Sequence, residues 1–369
     1  SEYFLTSAVR RKRGTNFVKN IFTMKYKSPQ PKKLFDEEFR LEKLAEQKDP
    51  LVKLKDRIDF ELFRPLLEKT FSKEEKGIGG ARPYDYVLMF KILILQRYYN
   101  IGDDKMEFAI LDRLSFMRFL SLTLSDKVPD AKTIWCFREQ LTQNKVTEKL
   151  FDVFKEELQK KNLIANEGKI VDASFVEVPI QRNSREENKQ VKEGVVPDEW
   201  KNNSNKLEQK DTDARWTKKN NTSYYGYKDH IKADEKSKLI DTYTVTDASV
   251  HDSQETDSLL SVADKGQPLH ADSAYSGEPV QKIVEKNEMK NHIHEKGYRN
   301  NPLTDQQKES NKVKSKTRAR VEHIFGFIEN SMNGSFIRTI GIKRATAVVG
   351  LMNLTYNIFR SMQLGYSSA

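Results

Sequence analysis

Cysteine is almost absent from this chain of 369 residues: Cys136 stands alone. A single thiol excludes an internal disulfide and a cysteine-based zinc site, and it fits a reducing compartment. Long apolar runs are missing too. The longest, Val87 to Leu95, is interrupted by Lys91 and falls far short of the roughly 20 residues that span a bilayer, so no membrane partner is expected. The first residues lack an apolar stretch followed by a small-residue cleavage site, so no signal peptide is expected. There is no Walker lysine loop and no GxGxxG sequence, which removes the usual grounds for a nucleotide cofactor.

Charge is what the chain has in quantity. Charged residues make up 32% of it, and 64 basic against 54 acidic residues give a net charge of +10 and a pI near 9.2. That balance favours a polyanionic partner. Twenty Phe and fourteen Tyr supply core material, and the length is more consistent with two domains than with one compact core. Met24-Lys25 reads as a natural start, which makes residues 1–23 an upstream extension, and Ser28-Pro29-Gln30-Pro31 closes a flexible basic tail over residues 1–28 around Arg10-Arg11-Lys12-Arg13.

Residues 29–165 read as helical. Tyr84 to Tyr99 is apolar almost all round and predicts a buried central helix. A helix from Asp104 to Phe119 follows. Another runs from an Asp130 N-cap to about Leu141, and further turns lie around Leu150 and Leu158. The short helix bearing Lys132, Thr133, Trp135 and Arg138 suits a helix-turn-helix DNA reader or a plain bundle, and spacing does not separate the two.

The pattern changes at Lys169. Lys169 to Val178 is β-branched and bounded by Gly168 and Pro179, hence a strand. Gln181 to Thr222 is polar, with ten basic and eight acidic residues, and reads as a long loop or partly disordered insert. In it, Trp200 and Trp216 can stack on an unpaired base or pin the loop. Strands are expected at Ser223–Ala233, Leu239–Thr246, Gln267–Ala271 and Asn291–His294. Helices are expected at Gln254–Leu260 and Glu278–Asn287, with an amphipathic one at Ala345–Met362. The fold class is therefore α+β.

Three carboxylates stand out. Asp172 lies on the first strand, Asp272 ends the strand Gln267–Ala271, and Glu322 sits on a helix whose apolar face is Val321, Ile324, Phe325 and Ile328. Arg318 and Glu322, four apart, also suit a plain surface ion pair. Carboxylates on two strand ends and a helix can hold two hard divalent ions for an in-line phosphodiester displacement. Lys296 to Arg320 carries eight basic and two acidic residues directly before Glu322, a track suited to phosphates. His270, His292 and His294 can share a face, but no cysteine supports zinc there. His251 beside Asp252 suits a loop hydrogen bond or a phosphate contact.

Many blocks in one order resemble the DDE transposases of bacterial insertion sequences, in the insertion-sequence-five branch. They are Arg82-Pro83-Tyr84, Leu88-Met89-Phe90-Lys91, Asp112-Arg113-Leu114-Ser115-Phe116, Pro129-Asp130, Val171-Asp172-Ala173, Tyr225-Gly226-Tyr227-Lys228, Val250-His251-Asp252, Ala271-Asp272-Ser273-Ala274-Tyr275, and Arg318 with Glu322. The resemblance implies an RNase H-like catalytic domain over residues 166–369, behind a helical DNA-recognition domain over 29–165. It implies Asp172, Asp272 and Glu322 as catalytic residues and ligands of two Mg²⁺ ions, with Mn²⁺ a substitute. Double-stranded DNA is the implied partner, as inverted-repeat ends and as target, with a homodimer on that DNA in the bacterial cytoplasm at the nucleoid. Lys132, Arg138, Lys312, Lys314, Lys316, Arg318 and Arg320 are the expected DNA contacts. Two positions depart from the family pattern: Ser315 stands where it has Tyr, and Glu329 where it has Lys or Arg. Their support is for an alternative, a transposition-deficient DNA-binding derivative.

Overall fold

The computed structural model describes residues 35–71 and 82–367; the basic extension, residues 1–28, lies outside them. The helical half contains α1 (Asp36–Glu46), α2 (Pro50–Arg57), α3 (Arg64–Phe71), α4 (Tyr86–Tyr99), α5 (Asp103–Asp112), α6 (Leu114–Leu120), α7 (Ala131–Gln143) and α8 (Val146–Lys160). Helix α4 is buried at eight positions from Val87 to Gln96. Asp85 caps it by accepting from Leu88 N–H (2.9 Å), and Asn100 ends it in the left-handed region. Asp130 caps α7 by accepting from Thr133 N–H (2.7 Å). The single helix expected over 104–119 is instead two. Arg113 is extended (φ −108°, ψ 105°) and breaks the run. The break turns Phe116 and Phe119 into the core while Phe108 and Leu111 stay exposed.

A mixed sheet forms the second half. Strand β1 (Lys169–Glu177) is followed by the insert, which is not a bare loop: it holds α9 (Arg185–Lys192), α10 (Asp198–Lys201), α11 (Ser204–Glu208) and β2 (Arg215–Lys219). Trp200 pins it, fully buried with its indole N–H donating to Glu187 (2.6 Å), which rules Trp200 out as a base-stacking surface. Trp216 stays half-exposed against Tyr225. Asn220 and Asn221, both at positive φ, turn β2 back into β3 (Thr222–Asp234). Strand β3 pairs antiparallel with β1 and with β4 (Ile240–Asp247). After α12 (Thr256–Leu259), β5 (Pro268–His270) runs parallel to β1. Helix α13 (Glu278–Lys286) leads to β6 (Lys290–Asn291), parallel to β5 and shorter than expected. The basic stretch before Glu322 contains a helix, α14 (Asp305–Arg318), and α15 (Glu322–Met332) starts four residues later. The chain ends in α16 (Ile342–Gln363). Among the described residues, no helix is long and apolar enough to cross a membrane.

Helix α16 corrects a further expectation, because it is enclosed rather than amphipathic: fifteen of its residues are buried. It lies between β4 and helices α4 and α8, so one apolar core runs through both halves of the chain. Phe359 stacks on Tyr98 with ring centroids 3.9 Å apart. Gly350 is required by close approach, since a Cβ there would meet the Tyr243 ring and Thr147. The buried polar side chains of α16 each make a hydrogen bond, although Asn353 Oδ1 has no partner. Asn357 accepts from Ile240 N–H (2.9 Å) and donates to Ile240 C=O (2.8 Å), and Asn353 donates to Asp229 (3.1 Å). A second, smaller core of Val171, Leu269, Tyr275, Val280 and Val284 packs α13 on the sheet near β5.

Asn357→Leu keeps the branched heavy-atom skeleton and strips both partners from Ile240. We expect a loss of roughly 2–4 kcal/mol, since each orphaned buried backbone group costs about 1–3 kcal/mol. Urea denaturation checks this; an unchanged midpoint would remove Asn357 as the tie between α16 and the sheet.

Candidate active site

The parallel register of β1 and β5 sets the site. Ile170 pairs with His270, and the same register carried two residues further sets Asp172 beside Asp272. Asp172 lies within β1, its side chain 14% exposed. Asp272 follows β5 and accepts from Ala274 N–H (2.7 Å). Glu322 opens α15 and is 65% exposed. Arg318, the last residue of α14, joins two of the three: one guanidinium nitrogen lies 3.2 Å from Asp172 Oδ2, the other 3.1 Å from Glu322 Oε1. The expected single helix through both residues is interrupted at Ala319–Val321, yet the four-residue spacing still brings arginine and glutamate together.

Burial dominates the electrostatics. It pushes Asp172 up to about 6, and the neighbouring Asp272 adds to this; the Ala173 N–H, Arg318 and Lys219 pull the other way. Lys219 comes from the tip of the β2–β3 hairpin and lies 5.7 Å from the Phe175 ring, so the insert reaches the site. Tyr275 is buried with no partner for its hydroxyl, and burial followed by Asp172, Asp252 and Asp272 raises it well above the usual phenol range. Nothing in the linear sequence signals either contact; both come from strand pairing.

Other acidic residues are already committed. Asp252 accepts from Lys228 (2.7 Å). Asp241 and Asp264 face the buried Lys169 and Lys232, with the Lys232–Asp264 pair at 2.7 Å. Asp247 accepts from Ser249 N–H (2.8 Å). His251 makes a loop bond to Ser253 (2.8 Å). His270 and His292 lie 5.0 Å apart as rings, but among the described residues no three His, Cys, Asp or Glu side chains form a ready-made metal cluster. That holds for Asp172, Asp272 and Glu322 as well.

The expected DNA contacts divide. Lys132 and Lys316 are exposed, and neither has an ion-pair partner among the described residues. Lys312 is exposed and paired on the surface with Glu309 (3.5 Å). Arg138, expected to be free, is held by Asp103 (2.5 Å). Lys314 donates to Ile293 C=O (3.0 Å), and Arg320 is tied to Glu235 (3.1 Å). Of the two departures from the family pattern, Ser315 donates to Asn311 C=O (2.8 Å), and Glu329 accepts from Ser174 (3.3 Å) on β1.

The raised pKa of Asp172 has a stability signature. A carboxyl raised from 3.8 to about 6 contributes stability below pH 3.8 that is lost as pH rises through 6. In chelator at pH 7.5, Asp172→Asn should therefore gain about 2–3 kcal/mol, at 1.36 kcal/mol per unit. Near pH 4 most of that gain should vanish. A variant equally stable with wild type at both values would mean that Asp172 is solvated.

Residues 39–140 match the family described as "Transposase domain (DUF772)", and residues 165–358 match the family described as "Transposase DDE domain". Among solved structures, the chain is similar to a piggyBac transposase in a synaptic complex with hairpin DNA, solved by cryo-EM. Identity is 14%, coverage is 86% of this chain and 76% of that one, and the TM-score is 0.43. The second family match spans just over half of the sequence, and the chain belongs to the DDE transposases.

Proposed function

We propose that this DNA transposase cuts at the terminal inverted repeats of its own element and joins the freed 3′ ends to target DNA, with Asp172, Asp272 and Glu322 as its catalytic carboxylates. The observation that carries the reading is the coupling of Asp172 to both others, to Asp272 through strand register and to Glu322 through Arg318. The strand order supports an RNase H-like sheet: β4, β3 and β1 antiparallel, then β5 and β6 parallel. The sequence blocks described above favour the insertion-sequence-five branch, two protomers on paired ends, and a nucleoid location.

The donor set fits a hard divalent cation. Three carboxylates offer oxygen ligands, the kind that Mg²⁺ or Mn²⁺ takes. Asp172 is a buried carboxyl whose charged form burial disfavours, and a nearby cation would restore that form. Bound there, two such ions supply activation of the attacking oxygen and stabilisation of the leaving oxygen. The chain's own residues orient the site. The Ala173 and Ala274 N–H groups fix Asp172 and Asp272. Arg318 holds Glu322 against β1, and Lys316 and Lys132 offer exposed charge to the DNA backbone.

Asp172→Ala, Asp272→Ala and Glu322→Ala should each lower Mg²⁺-dependent nicking of inverted-repeat DNA by roughly a thousandfold or more, the several kcal/mol such ions supply. Affinity for the same DNA should change little. In calorimetry, Mn²⁺ binding should weaken in all three. A variant that nicks normally leaves the triad, and a wild-type protein that binds the ends without nicking them in Mg²⁺ reduces the reading to the binding-only derivative.

A further inference from the structure

A cleft of about 350 Å³ opens where β1 ends, away from the three carboxylates. The chain leaving β1, Val178 to Arg182, forms one wall. Lys206 and Lys210 of the insert form another, and Arg338 and Thr339 a third. The insert builds this cleft, and nothing in the chemistry above uses it.

Its charges are not balanced. Lys206 is answered by Glu187 (3.3 Å) and Glu199 (3.5 Å). Lys210 has no carboxylate partner: its ammonium donates to Arg182 C=O (2.9 Å) and to Asn183 Oδ1, 5.1 Å from the Trp200 ring. Arg182 and Arg338 are exposed, and among the described residues neither guanidinium has an acceptor or an ion-pair partner. The lone carboxylate of the lining, Asp211, is buried. It is saturated by Tyr227 hydroxyl and by the N–H groups of Asp213, Ala214 and Gly341. Two more polar atoms, Gln181 Oε1 and Thr339 Oγ1, are buried in the lining residues without a partner. The Thr339 hydroxyl is a donor that a ligand oxygen would satisfy, whereas Gln181 Oε1 accepts only and is open to a water or a ligand hydroxyl.

We propose that this cleft is a second DNA-backbone site, holding a phosphodiester of the bound duplex through Arg182, Arg338 and Lys210, with Thr339 donating to it. The proposal rests on the transposase reading for its ligand. Two free guanidinium forks match phosphate geometry. Strand β1 sets the position: six residues separate Asp172 from Val178, about 20 Å at roughly 3.3 Å per residue. A duplex whose axis follows β1, rising about 3.4 Å per phosphate of each strand, would reach the cleft roughly six phosphates from the cut.

The test is binding of the full chain to a fluorescent inverted-repeat duplex over a KCl series. The Arg182→Gln, Arg338→Gln double variant should lower the log–log salt slope by about 2, near 0.9 per phosphate lost. Affinity in moderate salt should fall roughly ten- to a hundredfold, alike on specific and scrambled sequence. The Arg182→Lys, Arg338→Lys pair, which keeps the charge, should retain most of the slope. On a duplex ending about four base pairs from the cut on the cleft side, short of the six phosphates above, wild type and Gln variant should bind alike. An unchanged slope in a Gln variant that melts like wild type would overturn the site, and a slope loss persisting on the short duplex would overturn its placement. Wild-type nicking in Mg²⁺ is scored separately, so a protein that binds but never cuts would sink the catalytic reading while the slope still decides the cleft.

Discussion

Enclosing α16 is the constraint on which the rest of this structure depends. The helix carries Asn353, Thr355, Asn357 and Ser361 at full burial, and a buried polar side chain without a partner would cost more than its apolar neighbours recover. Every one of the four makes a bond: Asn353 to Asp229, Asn357 to the backbone at the start of β4, and Thr355 and Ser361 to carbonyls of α16 itself. The apolar remainder fills the space between α4, α8 and the sheet. The helical half and the sheet half are therefore joined by packing, and the change of pattern near residue 166 is a change of secondary structure inside one continuous core.

That core holds the sheet still, and the sheet places charge where water cannot screen it. Lys169, Lys232, Asp241 and Asp264 form a closed set beneath β1, β3 and β4. Removing one member would strand the others, which is costly in a way that an exposed pair is not. Asp172 is different. It is buried, shares its arginine with the exposed Glu322, and faces a second aspartate. A carboxyl held partly against its own ionisation, beside an exposed carboxylate and a shared guanidinium, is an environment common at functional sites.

The basic excess likewise divides by context. Arg138, Lys314 and Arg320 are used up inside the fold. Lys132, Lys316, Arg182 and Arg338 remain exposed without ion-pair partners among the described residues. The net charge of +10 signals a polyanionic partner, but only those side chains whose charge is not already neutralised can release counterions on binding.

Much of this architecture was legible in the sequence. Period and caps located α4, α7, β1, β3, β4 and α13 to within a few residues, because the apolar run at Tyr84–Tyr99, the Asp130 cap and the β-branched run at Lys169 act locally. The elements that carry Asp172, Asp272 and Glu322 were also legible, because their patterns are strong: the first lies within β1, the second follows β5 and the third opens α15. Other features were not. The break at Arg113, the helices inside the polar insert and helix α14 in the basic stretch carry weak local signals. The burial of α16 depends on partners more than a hundred residues away. The Arg318 bridge, the Lys219 approach and the unpaired arginines of the cleft were decided by strand register and packing alone. Local propensity and periodicity act over one turn or one strand, so the sequence determined which elements form and which residue types they carry. Which charges are neutralised, and which stay free for a partner, depends on long-range contacts, and that was settled only by the tertiary structure.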